Sequence, residues 1–540
     1  MKIAIVVQRY GATINGGAEL HARYIAEHLA KHVSVEVLTT CASDYITWHN
    51  ALPAGPDTVN GLTVRRFPVT REREPGEFGR MSERVFTRTH ALRDELAWLD
   101  AEGPTSPELV DYIRQNAAAF DFFIFFSFRY YHAYHGARAV PEKAILVPTA
   151  ERDGALGLAM FAPVFRGVRA FMYNSFEERA LIQTIAGHGD VPGVVVGVGS
   201  EIPAQSNPAR FRQKFNVRDR FAIYVGRIDE NKGCAELFAY FQRYTRMLAE
   251  GMHLVLIGNP IIPIPDHPKI HHLGFVSDQD KYDALAAAEL LVMPSYLESL
   301  SMVALEAWAL GKPVLANGRC DVLRGQCIRS NGGLYYDDFQ EFIETLRAID
   351  FNSSLAAALG RNGREYFNRH YAWPIVERKY LDMLDRLSQS AIPQTPAMDP
   401  LPGWFARRRQ VLPPADEVVS KLPTGPALAE IRGQASGVRP QAPRTTQAPG
   451  GIRPQVTRIT QAPGIRPQAP DSRPQGPAVT PQAPGIREPE HAAREQAPTR
   501  VSSQRPKTPG QGGDRRPGPR GPHGHRRRPG GRPRRHPGNR

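Results

Sequence analysis

The sequence predicts a doubly wound α/β protein with two sheet-and-helix halves and a long basic tail. Three observations carry this. Short apolar runs alternate with helical patterns over residues 1–200. The alternation restarts after Pro203–Asn207 and continues to about residue 390. From about residue 391 the composition changes altogether. Strand–helix alternation at this pace indicates a mostly parallel sheet with helices on its faces. The expected bounds are 1–200 and 201–370 for the two halves, 371–390 for a closing helix and 391–540 for the tail.

In the first half, Ile3–Val7 is a continuous apolar run, suited to a strand buried on both faces. Ala18, Ala22, Ile25 and Leu29 then recur at helical spacing. Val33, Val35 and Val37 open a second strand. Leu62–Phe67, Phe122–Phe126, Ile145–Val147, Ala170–Tyr173 and Val194–Val198 are further strands, with a helix over Glu177–Ile185. In the second half, Phe221–Val225, His253–Ile257, Ile270–Leu273, Leu290–Met293 and Pro313–Leu315 read as strands. Ala235–Leu248, Ser299–Leu310 and Asp338–Ala348 read as helices, and Trp373–Leu387 as a last one.

The tail takes most of the charge asymmetry. The chain of 540 residues carries a formal charge of +14. Residues 391–540 hold 26 Lys and Arg against 9 Asp and Glu, so residues 1–390 are slightly acidic. That excludes reading the whole fold as a basic nucleic-acid binder. The tail also holds 29 of the 48 prolines, and GIRPQ occurs twice in it. Such a segment buries too little apolar surface to offset its ordering entropy, so it is expected to be disordered, with local polyproline II character. Its arginine clusters suit salt-sensitive contact with a polyanion or an anionic membrane. Without interleaved aromatics it lacks base-stacking platforms, and no specific nucleic acid is expected.

Four cysteines without CxxC spacing argue against a disulfide scaffold or a zinc site. No apolar stretch approaches the ~20 residues of a membrane span, and the N-terminus does not read as a secretory signal. A cytoplasmic protein is expected, peripheral at the inner membrane face if the tail engages lipid.

Three places carry chemistry. Gly16 and Gly17 lie between the first strand and the first helix, where ligands bind in doubly wound sheets. Glycines there let backbone N–H groups approach an anion at a helix N-terminus, although a Gly-Gly turn is also a routine connection. Arg227 and Lys232 flank the loop after strand 221–225. A forked guanidinium and a point-charge ammonium on one loop suit a diphosphate, and they can stabilise charge on a departing phosphate. Asp229 and Glu230 between them leave a local ion pair as the alternative. Glu298 precedes a helix and Glu306 lies inside it, eight positions on, in an otherwise uncharged stretch from Ser299 to Leu310. A buried carboxylate needs partners. A ribose diol would serve Glu306, and an inter-helix salt bridge is the alternative. Ser299, Leu300 and Ser301 would offer N–H groups to phosphate at the helix start, and Glu298 would bond sugar hydroxyls or complement the helix dipole.

With GGAE at 16–19, GR at 226–227, KG at 232–233, and Glu298 and Glu306 before ALGKPV at 309–314, residues 1–388 resemble the family 4 glycosyltransferases. The resemblance implies the GT-B architecture of two facing Rossmann-like domains. It implies a retaining hexosyltransferase that moves a sugar from a nucleotide diphosphate sugar to a glycan, a lipid-linked acceptor or a small molecule. Polysaccharide or glycoconjugate biosynthesis is the implied setting. The implied roles give Arg227 and Lys232 the diphosphate, Glu298 the donor sugar and Glu306 the ribose. Gly16 and Gly17 abut the diphosphate from the other domain, and Ser299, Leu300 and Ser301 line the donor site. No metal or separate cofactor is implied, the nucleotide sugar being a co-substrate. The closing helix is implied to cross back onto the first domain. One departure stands out. Where many relatives carry a histidine after the strand at 145–147, this chain reads Pro148-Thr149-Ala150-Glu151-Arg152-Asp153. Glu151 or Asp153 is available for a polar role, and a loop salt bridge to Arg152 is the bland alternative. His132 and His135 are expected to be packing or surface residues. Two further readings stand beside this one. One is a nucleotide-sugar epimerase on the same architecture, and the other is a non-enzymatic scaffold working through its tail.

Overall fold

The computed structural model describes residues 1–392, apart from Asn15 and His188. The expectation of a disordered tail lies outside the described residues.

The first sheet is built from β1 (Lys2–Val6), β2 (Ser34–Thr40), β3 (Gly55–Val59), β4 (Leu62–Phe67), β5 (Phe122–Phe126), β6 (Ala144–Val147), β7 (Ala170–Tyr173) and β8 (Gly193–Val195). Their order across the sheet is β3-β4-β2-β1-β5-β6-β7-β8. All pairings are parallel except β3 with β4, an antiparallel hairpin that closes one edge. The second sheet holds β9 (Phe221–Val225), β10 (His253–Ile257), β11 (Ile270–His272), β12 (Leu290–Met293), β13 (Val314–Asn317) and β14 (Gly333–Tyr336). Its order is β11-β10-β9-β12-β13-β14, parallel throughout.

The continuous apolar runs are explained by cover on both faces. In β1, Ile3 and Ile5 join one apolar cluster while Ala4 and Val6 join another on the opposite face. Phe122, Ile124 and Phe126 likewise oppose Phe123 and Phe125. In β9, Ile223 and Val225 face one way, Ala222 and Tyr224 the other. Successive side chains of a strand point to opposite faces, so a strand sandwiched between helices has no polar side.

One apolar cluster runs through both halves, from Ile3 and Ile25 to Ile223 and Trp308. The helix Trp373–Gln389 belongs to it through Val376, Tyr380, Met383 and Leu384. That helix packs on the helix Gly17–Leu29 of the first half. Trp373 stacks on His28 with ring centroids 3.5 Å apart. His28 Nδ1 lies 2.5 Å from Glu377 and its Nε2 lies 2.8 Å from Glu201. At its far end Arg169 donates to the carbonyls of Leu387 and Ser390, each at 3.1 Å.

One expected helix starts late. The helix expected from Ser299 runs from Met302 to Ala309. Ser301 has extended backbone, and its hydroxyl accepts from the Ala304 N–H, so it is the cap. Ser299 and Leu300 therefore belong to the preceding loop rather than to the first turn. All four cysteines are buried and free. Among the described residues, no helix is long and apolar enough to cross a membrane.

Candidate active site

Both sheets have a switch point, where loops from neighbouring strands leave in opposite directions and open a crevice. In the second sheet it lies between β9 and β12, since β10 flanks β9 on the other side. The loop after β9 carries Arg227 and Lys232, and the loop after β12 carries Glu298. Lys232 Nζ donates to Glu298 Oε1 at 2.8 Å. Burial lowers the basicity of that amine, but the charges of Glu298 and Glu151 outweigh it, and its pKa is raised. Lys232 is a cation at neutral pH.

Gly233 makes the approach of the two loops feasible. It sits at φ +72°, and a Cβ there would lie 2.0 Å from the Pro294 carbonyl oxygen. A larger residue would push the Lys232 loop away from the strand end that leads to Glu298. Gly258, at φ +139°, plays the same part beneath Arg227, with the Gly226 carbonyl 1.9 Å from where its Cβ would be.

Arg227 is half-exposed, and its Nε pairs with Asp229 Oδ2. The other oxygen of Asp229 accepts the Lys232 N–H at 2.8 Å. Asp229 is thus the brace of the cation loop, and the expected local ion pair is present. Both cations lie on the loop that follows β9, and the Arg227 charge acts on Lys232.

Glu306 is nearly inaccessible, at 2% exposure. Its Oε1 accepts from Lys281 Nζ at 2.8 Å and from the Tyr282 hydroxyl at 3.0 Å. Its Oε2 is buried without a hydrogen-bond partner among the described residues. The salt-bridge alternative and the open-acceptor alternative therefore coexist, one on each oxygen. Tyr24, from the first half, lies close enough that burial and then the Glu306 charge push its hydroxyl pKa up. Glu306 sits where the two halves meet. Lys281 and Tyr282 went unnoticed in the sequence because no local motif marks them.

On the first-half side, Gly16 and Gly17 differ. A Cβ on Gly16 would meet Glu19 Oε2 at 2.1 Å, so Gly16 leaves room for the Glu19 carboxylate. That carboxylate takes Arg9 Nε at 2.9 Å and Nη2 at 2.6 Å in a buried pair. Around Gly17 nothing lies within 4 Å of a Cβ position. Gly16 is thus explained by packing, and Gly17 faces open space at the helix start.

A cleft joins the two halves. Ala150–Arg152 after β6 and the first turn of the helix Phe176–Ala186 form one wall. Tyr296–Glu298 and Arg319–Val322 form the other. Arg152 pairs with Asp321 across it at 3.0 Å, and Glu177 pairs with Arg329. His132 stands apart. It is fully buried, bonded to the Phe126 carbonyl at 3.0 Å, and burial pulls its pKa down to about 4, so it is a neutral packing residue.

Comparison with known proteins bears on the fold and the class of the protein. Residues 205–366 match the sequence model of the family described as glycosyl transferases group 1. The chain is 26% identical to D-inositol 3-phosphate glycosyltransferase of Kribbella flavida over 38% of its length, which is 54% of that protein. It is 34% identical to a Bacillus subtilis protein named as the teichuronic acid biosynthesis glycosyltransferase TuaC, over 20% of this chain and 26% of that one. The chain thus spans about half the length of the first relative and about a quarter of the second. Among solved structures, sucrose-phosphate synthase from Thermosynechococcus elongatus aligns with a TM-score of 0.54 at 17% identity, over 72% of this chain and all of that one. Anabaena Alr3699/HepE in complex with UDP aligns with a TM-score of 0.52 at 16% identity, over the same shares. At such identities the likeness is one of fold. The fold is GT-B, two facing Rossmann-like α/β domains: the strand–helix alternation predicts the two halves, and the family resemblance implies the architecture.

Proposed function

We propose that the protein is a retaining, metal-independent glycosyltransferase of the family 4 type that uses a nucleotide diphosphate sugar. The observation that carries this reading is Glu306. A carboxylate with one oxygen held by Lys281 and Tyr282 and the other buried without a partner is costly unless a ligand completes it. A ribose hydroxyl supplies the missing donor. Lys232 and Arg227 then lie toward the diphosphate. Their charges offset the negative charge that grows on the leaving phosphate, and being fixed in place they need no reorganisation. Glu298 orients Lys232 and presents its second oxygen to the donor sugar. Gly17 leaves space at the opposing helix start. Ser301 caps its helix, and the first-turn N–H groups behind it face the crevice.

Anabaena Alr3699/HepE, which shares the fold, is described in complex with UDP and with UDP-glucose, which supports a nucleotide-sugar partner here. The acceptor enters from the first-domain side and is a glycan, a lipid-linked sugar or a small molecule. Contact of the basic tail with an anionic membrane surface is part of the same proposal.

The test is calorimetry of the full chain against UDP-, GDP-, ADP- and dTDP-sugars, with transfer and slow donor hydrolysis followed by product analysis. Micromolar binding of one donor and a product of kept anomeric configuration are expected. A well-folded sample that binds none of them overturns the reading. An altered free sugar with no acceptor consumed turns it into an epimerase.

A further inference from the structure

The cleft between the halves contains several charged side chains, and nearly all are already engaged. Glu298 is taken by Lys232, Asp321 by Arg152, Glu177 by Arg329 and Arg319 by Glu236. Glu178 accepts the N–H groups of Ala150 at 2.6 Å and Asn174 at 2.5 Å. Glu151 differs. Among the described residues its carboxylate takes part in no hydrogen bond and no close ion pair, yet it lines the cleft and is only partly exposed. The charges that face it are Lys232 and Glu298 from the second half, and Asp153, Arg129 and Glu178 from its own.

A second, independent observation concerns the backbone. Ser127 ends β5 at φ +66° and Thr149 follows β6 at φ +48°. Both are non-glycine residues in the left-handed region, which costs of order 1 kcal/mol each. Thr149 Oγ1 donates to Ser127 Oγ at 2.8 Å and locks the two strained ends together. Glu178 clamps the next residue, Ala150. Strain that persists beside two neighbouring strand ends, held by a hydroxyl pair and a buried carboxyl group, fixes the backbone from which Glu151 projects.

We propose that Glu151 is a specificity-determining residue of the cleft. Its carboxylate accepts a hydrogen bond from a ring hydroxyl of the sugar bound between it and Glu298. The inference rests on the nucleotide-sugar reading given above. Burial, with the charges of Glu298 and Asp153, pushes the Glu151 carboxyl up to about 6, against the pull of Lys232. The acceptor form therefore prevails above pH 6 and is lost as the pH falls through that value.

The experiment compares the full-length wild type with Glu151→Ala and Glu151→Gln. Calorimetry is run with the same four nucleotide sugars and with UDP, GDP, ADP and dTDP alone, from pH 5 to 8. The quantity read is the affinity of the sugar nucleotide divided by that of its diphosphate. Glu151→Ala is expected to lower this ratio at least tenfold at pH 7.5 through a loss of affinity for the sugar nucleotide itself, while the diphosphate, relieved of a carboxylate beside Lys232, binds no more weakly. Glu151→Gln, which keeps one acceptor oxygen, recovers part of the loss. The wild-type ratio falls below pH 6 and the Ala variant's does not. A ratio that survives Glu151→Ala overturns the inference alone. So does a wild type that binds the sugar nucleotide no better than its diphosphate. Absence of any nucleotide binding by the wild type removes the underlying reading, and the inference with it.

Discussion

Glu102 and Glu95 of the first half are used up by the protein, whereas Glu306 of the second half keeps one oxygen free. Glu102 gives Oε2 to Arg73 at 2.9 Å and Oε1 to Arg129 at 2.7 Å, while its backbone carbonyl takes Trp48 Nε1 at 2.7 Å. Glu95 accepts from His90 at 2.9 Å and from the N–H groups of Ala159 and Met160 at 3.1 and 2.9 Å. Glu306 instead leaves Oε2 open, and Arg227 spends only its Nε on Asp229. Closed networks hold loops. Open ones have free valence for a ligand. On the cleft wall of the first half, Glu151 has the same free valence, and its place there is what singles it out.

The largest expected effect tests the open side. Lys232→Ala should lower turnover about 10²–10³-fold, the range for removing one preorganised donor from a transition state. The melting temperature should hardly move, because Glu298 is then free to reach water. Steady-state kinetics beside thermal melts check this. Wild-type-like rates would end the assigned role.

Glu102→Gln tests the closed side and should do the reverse. It leaves Arg73, at 8% exposure, beside a neutral amide. Breaking a buried pair by removing one partner costs about 3 kcal/mol. Denaturant unfolding should show that loss, with nucleotide affinity unchanged. An affinity loss larger than the stability loss would erase the distinction between the halves.

The same contrast explains what the sequence discloses. Arg227 with Lys232, and Glu298 with Glu306, each fall within one short segment, so their spacing is visible in one dimension. Glu102 ends the helix Leu92–Glu102 while Arg73, Arg129 and Asp153 come from three separate loops, and no spacing relates them. Strands β1, β5 and β9 are legible because cover on both faces makes them uniformly apolar. β3 is not, because Gly55-Pro56-Asp57 reads as loop. Its real signal is the Asn60-Gly61 turn, where φ is +49° and +82°, the pattern of a two-residue hairpin. The helix after Glu298 starts three residues later than the apolar run from Ser299 suggests, because Ser301 supplies the cap.

Glu306→Gln should weaken binding of the nucleotide diphosphate about tenfold, a change of about 1.4 kcal/mol. The amide keeps one acceptor oxygen but must turn its N–H₂ toward either Lys281 or the ligand. Binding calorimetry reads the affinity, and a urea melt shows whether stability falls by less. Unchanged affinity would remove the ribose assignment and leave Glu306 as a salt bridge to Lys281.

The smallest effect concerns what holds the halves together. Arg152 and Asp321 pair across the cleft mouth, but their side chains are 72% and 62% exposed. Exposed pairs contribute about 0–1 kcal/mol, since water screens the attraction and two long side chains lose freedom. Arg152→Ala should therefore cost under about half a kcal/mol, and the difference should vanish at high salt. The cohesion of the halves resides instead in the shared apolar cluster and in the helix Trp373–Gln389, whose Val376, Tyr380 and Leu384 are fully buried. An unfolding series in low and high salt separates the two accounts. A salt-sensitive loss of several kcal/mol for Arg152→Ala would mean that the cleft-mouth charges are structural after all. They would then belong with the closed networks of the first half.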